Sequence, residues 1–247
     1  MYNPTKKDGY RGLATGLAVI GLWLGGLIIF LHMDLSVVPI YIIIPAVLVQ
    51  MFLYVGLFIT AHDAMHGLVF PQNLWINNLT GTLAVLLYAL FPYKKLHTKH
   101  WDHHKFPASE KDPDYHDGKR PGFFSWYLKF MRTYLSWWQI LGMAIIFNIL
   151  HLGLNIPVAN LLLFWAFPAL ASTLQLFFFG TYLPHRKPHG GYTNRHNAAS
   201  NDYPVFLSFI TCYHFGYHLE HHEFPYVQWW KLPKVRRNWN GQVSQNT

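Results

Sequence analysis

The sequence predicts an all-α integral membrane protein with two transmembrane helical hairpins, a re-entrant or interfacial helix and a cytoplasmic helical cap. Composition is the first observation, because hydrophobic residues make up 52% of the 247 residues and charged residues only 12%. A soluble domain carries roughly 25% charged residues. The second observation is that Lys and Arg are absent from residues 12–93 and 133–185. The third is a set of closely spaced histidines beside these apolar stretches.

Four stretches are long and apolar enough to span a bilayer, which takes about 20 residues as a helix. These predicted spans are residues 13–31, 37–59, 136–154 and 158–182. The short connections 32–36 and 155–157 pair them into two hairpins, and Pro157 suits a boundary between helices. We expect residues 1–247 to form a single membrane domain. The first span shows no clear signal-peptidase site, so we expect it to be retained.

A further apolar stretch, residues 74–91, is interrupted by Asn77 and Asn78. Its uninterrupted part covers about 13 residues, or ~20 Å as a helix, whereas the hydrocarbon core is ~30 Å thick. The stretch is therefore predicted to enter the membrane and return, or to lie in the interface. A full crossing would place the histidines before and after it on opposite sides of the bilayer.

The distribution of positive charge predicts the orientation. All 19 Lys and Arg residues lie in the N-terminal segment, in residues 94–132 or in residues 183–247, and neither hairpin tip has one. By the positive-inside rule, both termini and the clustered histidines are then cytoplasmic. The same distribution suits the bilayer as partner and argues against a nucleic-acid groove, so no nucleic-acid partner is expected.

The chain has 16 histidines, and their spacing is typical of metal ligands. His62 and His66 are four residues apart, which places them on one face of a helix. Two further clusters use the spacing i, i+3, i+4, which also shares a helical face: His100, His103 and His104, then His218, His221 and His222. His185, directly after the last span, is a ninth candidate.

Nine imidazoles suit two metal ions with open positions, because one tetrahedral zinc needs only four ligands. The cytoplasmic cap is therefore predicted to carry a di-metal histidine site. Imidazole binds Zn, Cu, Fe and Ni alike, so the ligand type leaves the metal open. His214 can be a tenth ligand or can support the ligands from outside. Isolated histidines such as His116 and His151 are expected to be interfacial polar residues.

Several carboxylates lie among the histidines and can accept the outward N–H of a metal-bound imidazole. They are Asp63, Asp102, Asp112, Asp114 and Glu220. Of these, Asp63, Asp102 and Asp114 are our candidate catalytic residues.

Two metal ions at a membrane surface suit a lipophilic substrate. Oxidation of an unreactive C–H bond needs a redox metal, usually iron with dioxygen, whereas hydrolysis would need only one zinc-type site. Electrons would come from outside, because the chain has no Rossmann fingerprint and a single cysteine, Cys212. A metal transporter would place its ligands within the spans, and a structural scaffold would have no use for clustered imidazoles.

The order of the histidine motifs resembles the membrane fatty-acid desaturase and hydroxylase superfamily. Within it, the chain is similar to the bacterial and cyanobacterial β-carotene 4-ketolases. The resemblance is carried by AHDAMHG at 61–67, LHTKHWDHHKFPASEKDP at 96–113, FGTYLPHRKPHGGYTNRHNAASN at 179–201 and YHFGYHLEHHEFP at 213–225. The histidine motifs indicate the superfamily, whereas TYLPHR and HFGYHLEHHEFP are more specific.

The resemblance implies an enzyme that oxidises the carbon-4 methylene of a β-ionone ring to a ketone by two hydroxylations, after which the geminal diol loses water. β-Carotene would give echinenone and then canthaxanthin. It also implies two iron ions, dioxygen, electrons from reduced ferredoxin, and a cell or thylakoid membrane location. The implied iron ligands are His62, His66, His100, His103, His104, His185, His218, His221 and His222. A carotenoid 3-hydroxylase and a fatty-acyl desaturase or hydroxylase share the motifs and remain alternatives.

Overall fold

Every regular element in residues 4–245, the part of the chain that the computed structural model describes, is helical. The first half contains α1 (Lys6–Leu31), α2 (Ile40–Met65), α3 (Leu74–Ala89) and α4 (Tyr93–Lys105). The next helices are α5 (Phe123–Tyr134) and α6 (Trp137–Asn148), which continues into the π-helical turn Ile149–Gly153. A continuous helix then joins α7 (Val158–Leu161), α8 (Phe167–Leu176) and α9 (Leu183–His185) through π turns at Leu162–Ala166 and Phe177–Tyr182. The C-terminal region contains α10 (Val205–Cys212), α11 (His218–Glu223), the 3₁₀ turn Trp229–Lys231 and α12 (Leu232–Gln245).

Three of these segments are long and apolar enough to cross a membrane: Lys6–Leu31, Ile40–Met65 and Val158–His185. Two bent pairs pass the same test together, α3 with α4 at 100° and α5 with Trp137–Gly153 at 82°. The described chain therefore has 3 candidate spans, or up to 5 if each bent pair is one span. The helices overlap all four predicted spans, and the number that crosses a bilayer stays a prediction.

Large apolar side chains are exposed along the outward faces of the long helices. Leu22 on α1, Ile44 on α2 and Leu170 on α8 have 62%, 53% and 61% of their surface exposed. Soluble monomers rarely expose contiguous apolar surface of this kind. This surface is suited to contact with lipid.

Helix α2 lies at the centre of the helical layer, where it contacts α1, α3 and α8. Tyr54, Val55 and Leu57 are completely buried in its middle. The helix continues past residue 59, where the predicted span ends, to Met65. Ala61, Ala64 and Met65 are strong helix formers, so the last turn stays helical although it carries polar residues.

The turn between α3 and α4 brings the second histidine cluster to the end of α2. Leu90 adopts a left-handed conformation with φ of 55°, which ends α3. Pro92 precedes the first residue of α4, and the two helix axes meet at 100°. This bend is compatible with the predicted re-entrant or interfacial helix, which stays a prediction.

Asn77 connects α3 to the loop that follows the first histidine pair. Its side chain is fully buried, and its Oδ1 accepts the backbone N–H groups of Val69 and Phe70 at 3.1 and 3.2 Å. Its Nδ2 donates to the carbonyl of Ala64 at 2.8 Å. The asparagine that interrupts the apolar stretch therefore satisfies backbone groups that would otherwise be buried without partners.

We expect Asn77→Leu to destabilise the protein by about 2–4 kcal/mol, because two buried N–H groups and one carbonyl lose their partner. Thermal unfolding in detergent measures the change. Asn148→Leu is the control, because that side chain is exposed and donates to the carbonyl of Ala144 in its own helix, so the midpoint should shift little. Equal shifts for both variants would contradict the role assigned to Asn77.

Candidate metal centre

The nine candidate histidines come from four separate elements that meet at one end of the helical layer. His62 is in the last turn of α2 and His66 is its C-terminal capping residue. The second cluster lies on α4 and the third on α11, while His185 is the last residue of α9. Residues more than a hundred positions apart in the chain thus come into contact.

The structure divides these histidines into two groups, in each of which the potential ligand atoms lie within 4.8 Å of one another. The first histidine group contains His62, His66, His100, His104 and His221. The second histidine group contains His103, His185, His218 and His222. All nine sequence-predicted ligands are therefore brought together, and each falls into one group.

Adjacent histidines in the i, i+3, i+4 clusters point to different groups. Consecutive residues are about 100° apart around a helix, so His103 and His104 diverge, as do His221 and His222. In α4 the i, i+4 pair enters the first group, whereas in α11 the i, i+4 pair, His218 and His222, enters the second. The i, i+3, i+4 spacing predicts one shared face for each cluster, whereas in the structure each cluster contributes to both groups.

The imidazole nitrogens converge in a way that suits a cation. In the first group, Nε2 of His66 lies 2.7 Å from Nε2 of His100, and Nε2 of His221 lies 3.1 and 3.0 Å from those of His62 and His104. A shared proton can serve only two nitrogens at once, whereas a central metal ion accepts a lone pair from each. The donor set therefore fits a metal.

The second group shows the same convergence. Nε2 of His222 lies 3.1 Å from Nε2 of His103 and 3.0 Å from Nε2 of His218. Nε2 of His185 is buried and has no hydrogen-bond partner within the described residues. Because buried polar atoms are normally paired, this unpartnered nitrogen also fits a metal in the second group.

Groups behind the imidazoles hold several of them in position. Nδ1 of His103 lies 3.0 and 3.1 Å from the two carboxylate oxygens of Asp112, and 3.8 Å from Asp114. Nδ1–H of His185 donates to the carbonyl of Asn197 at 3.0 Å. Nδ1 of His62 lies 3.6 Å from the Asp63 carboxylate. Such contacts turn Nε2 toward the centre of each group.

The surroundings favour neutral imidazoles at most of these positions. Burial, followed by the repulsion of neighbouring histidines, holds the pKa values of His100, His104, His221 and His222 well below their ordinary range. His103 differs: burial opposes its charged form, but Asp112 and Asp114 outweigh burial and raise its pKa. Burial would raise the pKa of Asp112, yet the charge of His103 lowers it overall. Neutral imidazole is the form that ligates metals.

The three candidate catalytic carboxylates lie in different surroundings. Asp63 is buried beside His62 and accepts the backbone N–H of Trp229 at 3.3 Å. Asp114 accepts a hydrogen bond from the hydroxyl of Tyr134 and borders the second group. Asp102 is half-buried on α4 and belongs to neither histidine group in the described chain.

Two other residues named from the sequence lie outside both groups. Nδ1 of His214 contacts the hydroxyl of Ser208 at 3.2 Å, so His214 supports the loop before α11. Glu220 faces away from the imidazoles, where it accepts hydrogen bonds from Ser200 and from Arg236, the latter at 2.7 Å. Both residues therefore hold α11 in place and are not members of the ligand groups.

The loop between α10 and α11 adopts a strained conformation. Tyr213 and His214 both have left-handed backbones, with φ of 49° and 63°. Residues in this region cost on the order of 1–3 kcal/mol each. Three backbone hydrogen bonds offset the cost: Tyr213 N–H to Phe209 O, His214 N–H to Ser208 O, and Asn201 N–H to Gly216 O. The reversal that results directs α11 back toward α2 and α4.

An apolar pocket adjoins both groups. Its wall includes His62 and His100 from the first group and His103 and His218 from the second. The remaining wall is mostly aromatic and aliphatic and includes Phe58, Tyr88, Phe91, Phe130, Leu176 and Phe215. An apolar molecule in this pocket would therefore lie against both sets of imidazoles.

Gly180 allows Phe215 to sit between the pocket and the histidines. A Cβ atom at Gly180 would lie 2.5 Å from carbons of the Phe215 ring. That ring in turn stacks edge-on against His62 and His218, with centroid distances of 4.7 and 5.0 Å. The roles of Gly180, Phe215 and Asn197 could not be predicted from the sequence, because a packing contact or a backbone carbonyl leaves no signal in a motif.

Several known proteins are similar in sequence to this chain. The fatty acid desaturase family model matches residues 38–141 and 131–245. "Beta-carotene 4-ketolase 3" from Haematococcus lacustris is 38% identical, and the alignment covers 96% of this chain and 82% of that protein. "Zeaxanthin 4-ketolase" from Chlamydomonas reinhardtii is 40% identical over 96% of this chain and 55% of that protein. "Beta-carotene ketolase" from Paracoccus sp. (strain PC1) is 44% identical over 75% of each.

We expect Asp112→Asn to lower the metal affinity of the second histidine group by roughly 10–100-fold. The reason is that an amide holds the His103 imidazole less firmly than a carboxylate does. Metal analysis of purified protein after dialysis against graded chelator measures the change. Asp117→Asn on the same loop is the control, since its carboxylate contacts only exposed groups near Arg120. Unchanged metal retention in the Asp112 variant would contradict this arrangement.

We expect Gly180→Ala to destabilise the protein by about 1–3 kcal/mol, because the added methyl group overpacks against Phe215. The thermal midpoint in detergent measures the change. Gly25→Ala is the matched control, because no atom lies within 4 Å of its Cβ position, and it should be neutral or slightly stabilising. A Gly180 variant as stable as the Gly25 variant would show that Phe215 moves freely.

Proposed function

This chain belongs to the fatty acid desaturase family, and we propose that it is a carotenoid ketolase that converts the carbon-4 methylene of β-ionone rings to a ketone. The observation that carries this proposal is the contact of one apolar pocket with both histidine groups. The ketolases named above align with most of the chain, which favours carbon 4 over a carotenoid 3-hydroxylation or a fatty-acyl desaturation.

The nine histidines would hold two iron ions, one in each histidine group. Iron, when bound, would supply the redox chemistry with dioxygen that no protein side chain provides. Five imidazoles are available to the first ion and four to the second. Asp112 and the Asn197 carbonyl orient ligands of the second group, and Asp63 orients His62. Asp63, Asp102 and Asp114 remain proposed catalytic carboxylates, with Asp63 and Asp114 closest to imidazoles.

The pocket would position the ring and exclude water. Its aromatic walls, including Phe58, Tyr88 and Phe215, offer an apolar surface to the ring and its methyl groups. Because part of the wall comes from α2 and from the segment Val158–His185, two of the candidate spans, the substrate would enter from the membrane. The closed apolar surroundings would keep bulk water from the reacting carbon.

The net reaction proceeds in two oxidations of one carbon. Each converts a C–H bond to C–OH with one dioxygen, two electrons and two protons, and releases one water. The second gives a geminal diol, which loses water to leave the ketone. β-Carotene thus gives echinenone after oxidation of one ring and canthaxanthin after oxidation of both rings.

The electrons would come from reduced ferredoxin on the cytoplasmic side of the cell or thylakoid membrane. We propose four spans: α1, α2, the segment Trp137–Gly153 and the segment Val158–His185, with α3 re-entrant or interfacial and α4 outside the membrane. All Lys and Arg residues lie outside the hairpin tips, which supports cytoplasmic termini and a cytoplasmic histidine cap in a single domain.

We expect a β-carotene-producing bacterium that expresses this chain to accumulate echinenone and canthaxanthin, identified by chromatography with absorption spectra. His221→Ala should abolish both, because Nε2 of His221 contacts two other imidazoles of the first group. His151→Ala is the matched control: its Nδ1 contacts only the carbonyl of Ile156, and its loss should leave most of the activity. Immunoblots of the membrane fraction verify equal protein.

If zeaxanthin accumulated in place of the ketones, the chain would still be an oxygenase, but the oxidation would take place at carbon 3. Unchanged β-carotene, with the protein in the membrane and reductant supplied, would contradict carotenoid oxidation and redirect the search to fatty-acyl chains.

A further inference from the structure

Threonine hydroxyls in the helices of this protein commonly bond to the preceding turn. Thr60, Thr80 and Thr133 donate to carbonyls four residues back, at 2.8, 2.9 and 2.9 Å. This is the usual way in which a helical threonine satisfies its hydroxyl. Thr181 is 6% exposed, and its hydroxyl makes no hydrogen bond within residues 4–245.

The π turn Phe177–Tyr182 explains this difference. Its backbone bonds close five residues apart, as in the bond from Leu183 N–H to Phe178 O. The carbonyls are therefore displaced from the positions that a threonine side chain reaches in an α-helix. Such turns are rare and are frequent at functional sites.

The free hydroxyl of Thr181 lines the apolar pocket, where the other hydroxyls are occupied. Tyr88 pairs with Ser172 at 2.6 Å, and Thr173 pairs with Tyr127 at 2.6 Å. Tyr134 donates to Asp114. Thr181 thus offers the pocket an unoccupied hydroxyl donor and acceptor.

Thr181 also lies on the pocket wall that carries imidazoles of both histidine groups. It is four residues before His185 on the same helical segment, and it shares the pocket wall with His62 and His218. A polar atom on the substrate beside this wall would find in Thr181 a hydroxyl without a partner, because the other hydroxyls of the wall are already hydrogen-bonded.

We propose that Thr181 is a specificity-determining residue that hydrogen-bonds the alcohol formed at the ring carbon by the first oxidation. The inference rests on the proposed ketolase function. A methylene makes no hydrogen bond, so the contact arises only once the first oxygen is in place. It would hold the alcohol in the pocket for the second oxidation, whereas an alcohol without a partner in apolar surroundings tends to leave.

Product analysis during the linear phase of the reaction tests this role. Thr181→Val, which keeps the shape, should release the 4-hydroxylated intermediate and raise the ratio of alcohol to ketone on the order of three- to tenfold, the range expected for one neutral hydrogen bond. Thr181→Ser should restore the ratio, and Thr80→Val, a buried threonine outside the pocket, should match the unaltered protein.

A binding measurement without turnover separates substrate contact from packing. Purified protein in detergent is given equal amounts of β-carotene and its 4-hydroxylated and 3-hydroxylated derivatives, without dioxygen or reductant. Retained pigments are then quantified by chromatography. The unaltered protein should enrich the 4-hydroxylated pigment over β-carotene, and Thr181→Val should lose that preference by a similar three- to tenfold factor.

Equal loss of all three pigments in Thr181→Val would reduce Thr181 to a packing role and overturn the inference. If Thr181→Val bound less of the 3-hydroxylated pigment but as much of the 4-hydroxylated pigment as the unaltered protein, the assignment to carbon 4 would be overturned. If the unaltered protein formed no ketone, the proposed function itself would be rejected. That outcome is distinct from the two outcomes above, which overturn only the role of Thr181.

Discussion

The convergence of nine buried or half-buried imidazoles is the constraint on which the rest of the structure depends. Imidazole nitrogens at 2.7–3.1 Å from one another converge on common points, an arrangement that a metal stabilises and protons alone do not. The helices must therefore deliver four separate segments to one place. The extended end of α2, the 100° bend before α4 and the strained loop before α11 each serve that requirement.

The adjacent histidines His103–His104 and His221–His222 explain how two short motifs can supply two sites. Because neighbours on a helix diverge, one helix contributes to both groups without any change of backbone. Helices α4 and α11 do so in opposite proportions, since α4 gives two imidazoles to the first group and α11 gives two to the second. The two histidine groups are consequently tied together, and a displacement of either helix would disturb both.

The pocket and the histidine groups share a wall, although they require different surroundings. Imidazoles need carboxylates and carbonyls behind them, such as Asp112 and Asn197, whereas an apolar substrate needs walls without free polar atoms. Three of the pocket hydroxyls, those of Tyr88, Thr173 and Tyr134, are hydrogen-bonded to other side chains, which limits the free polar atoms in the wall. Thr181 departs from this pattern, because the π turn removes its backbone partner.

The sequence by itself determined the helical class, the apolar stretches and all nine histidines that the structure gathers, because hydropathy and i, i+3, i+4 spacing are local properties. It could not assign His103 and His104 to their respective histidine groups, or identify Asp112 as the carboxylate that contacts His103. It also gave no sign of Gly180, Phe215 or the Asn197 carbonyl. Those features depend on which surfaces meet when distant segments pack, and only the tertiary structure decides that, since packing acts between residues that no spacing along the chain connects.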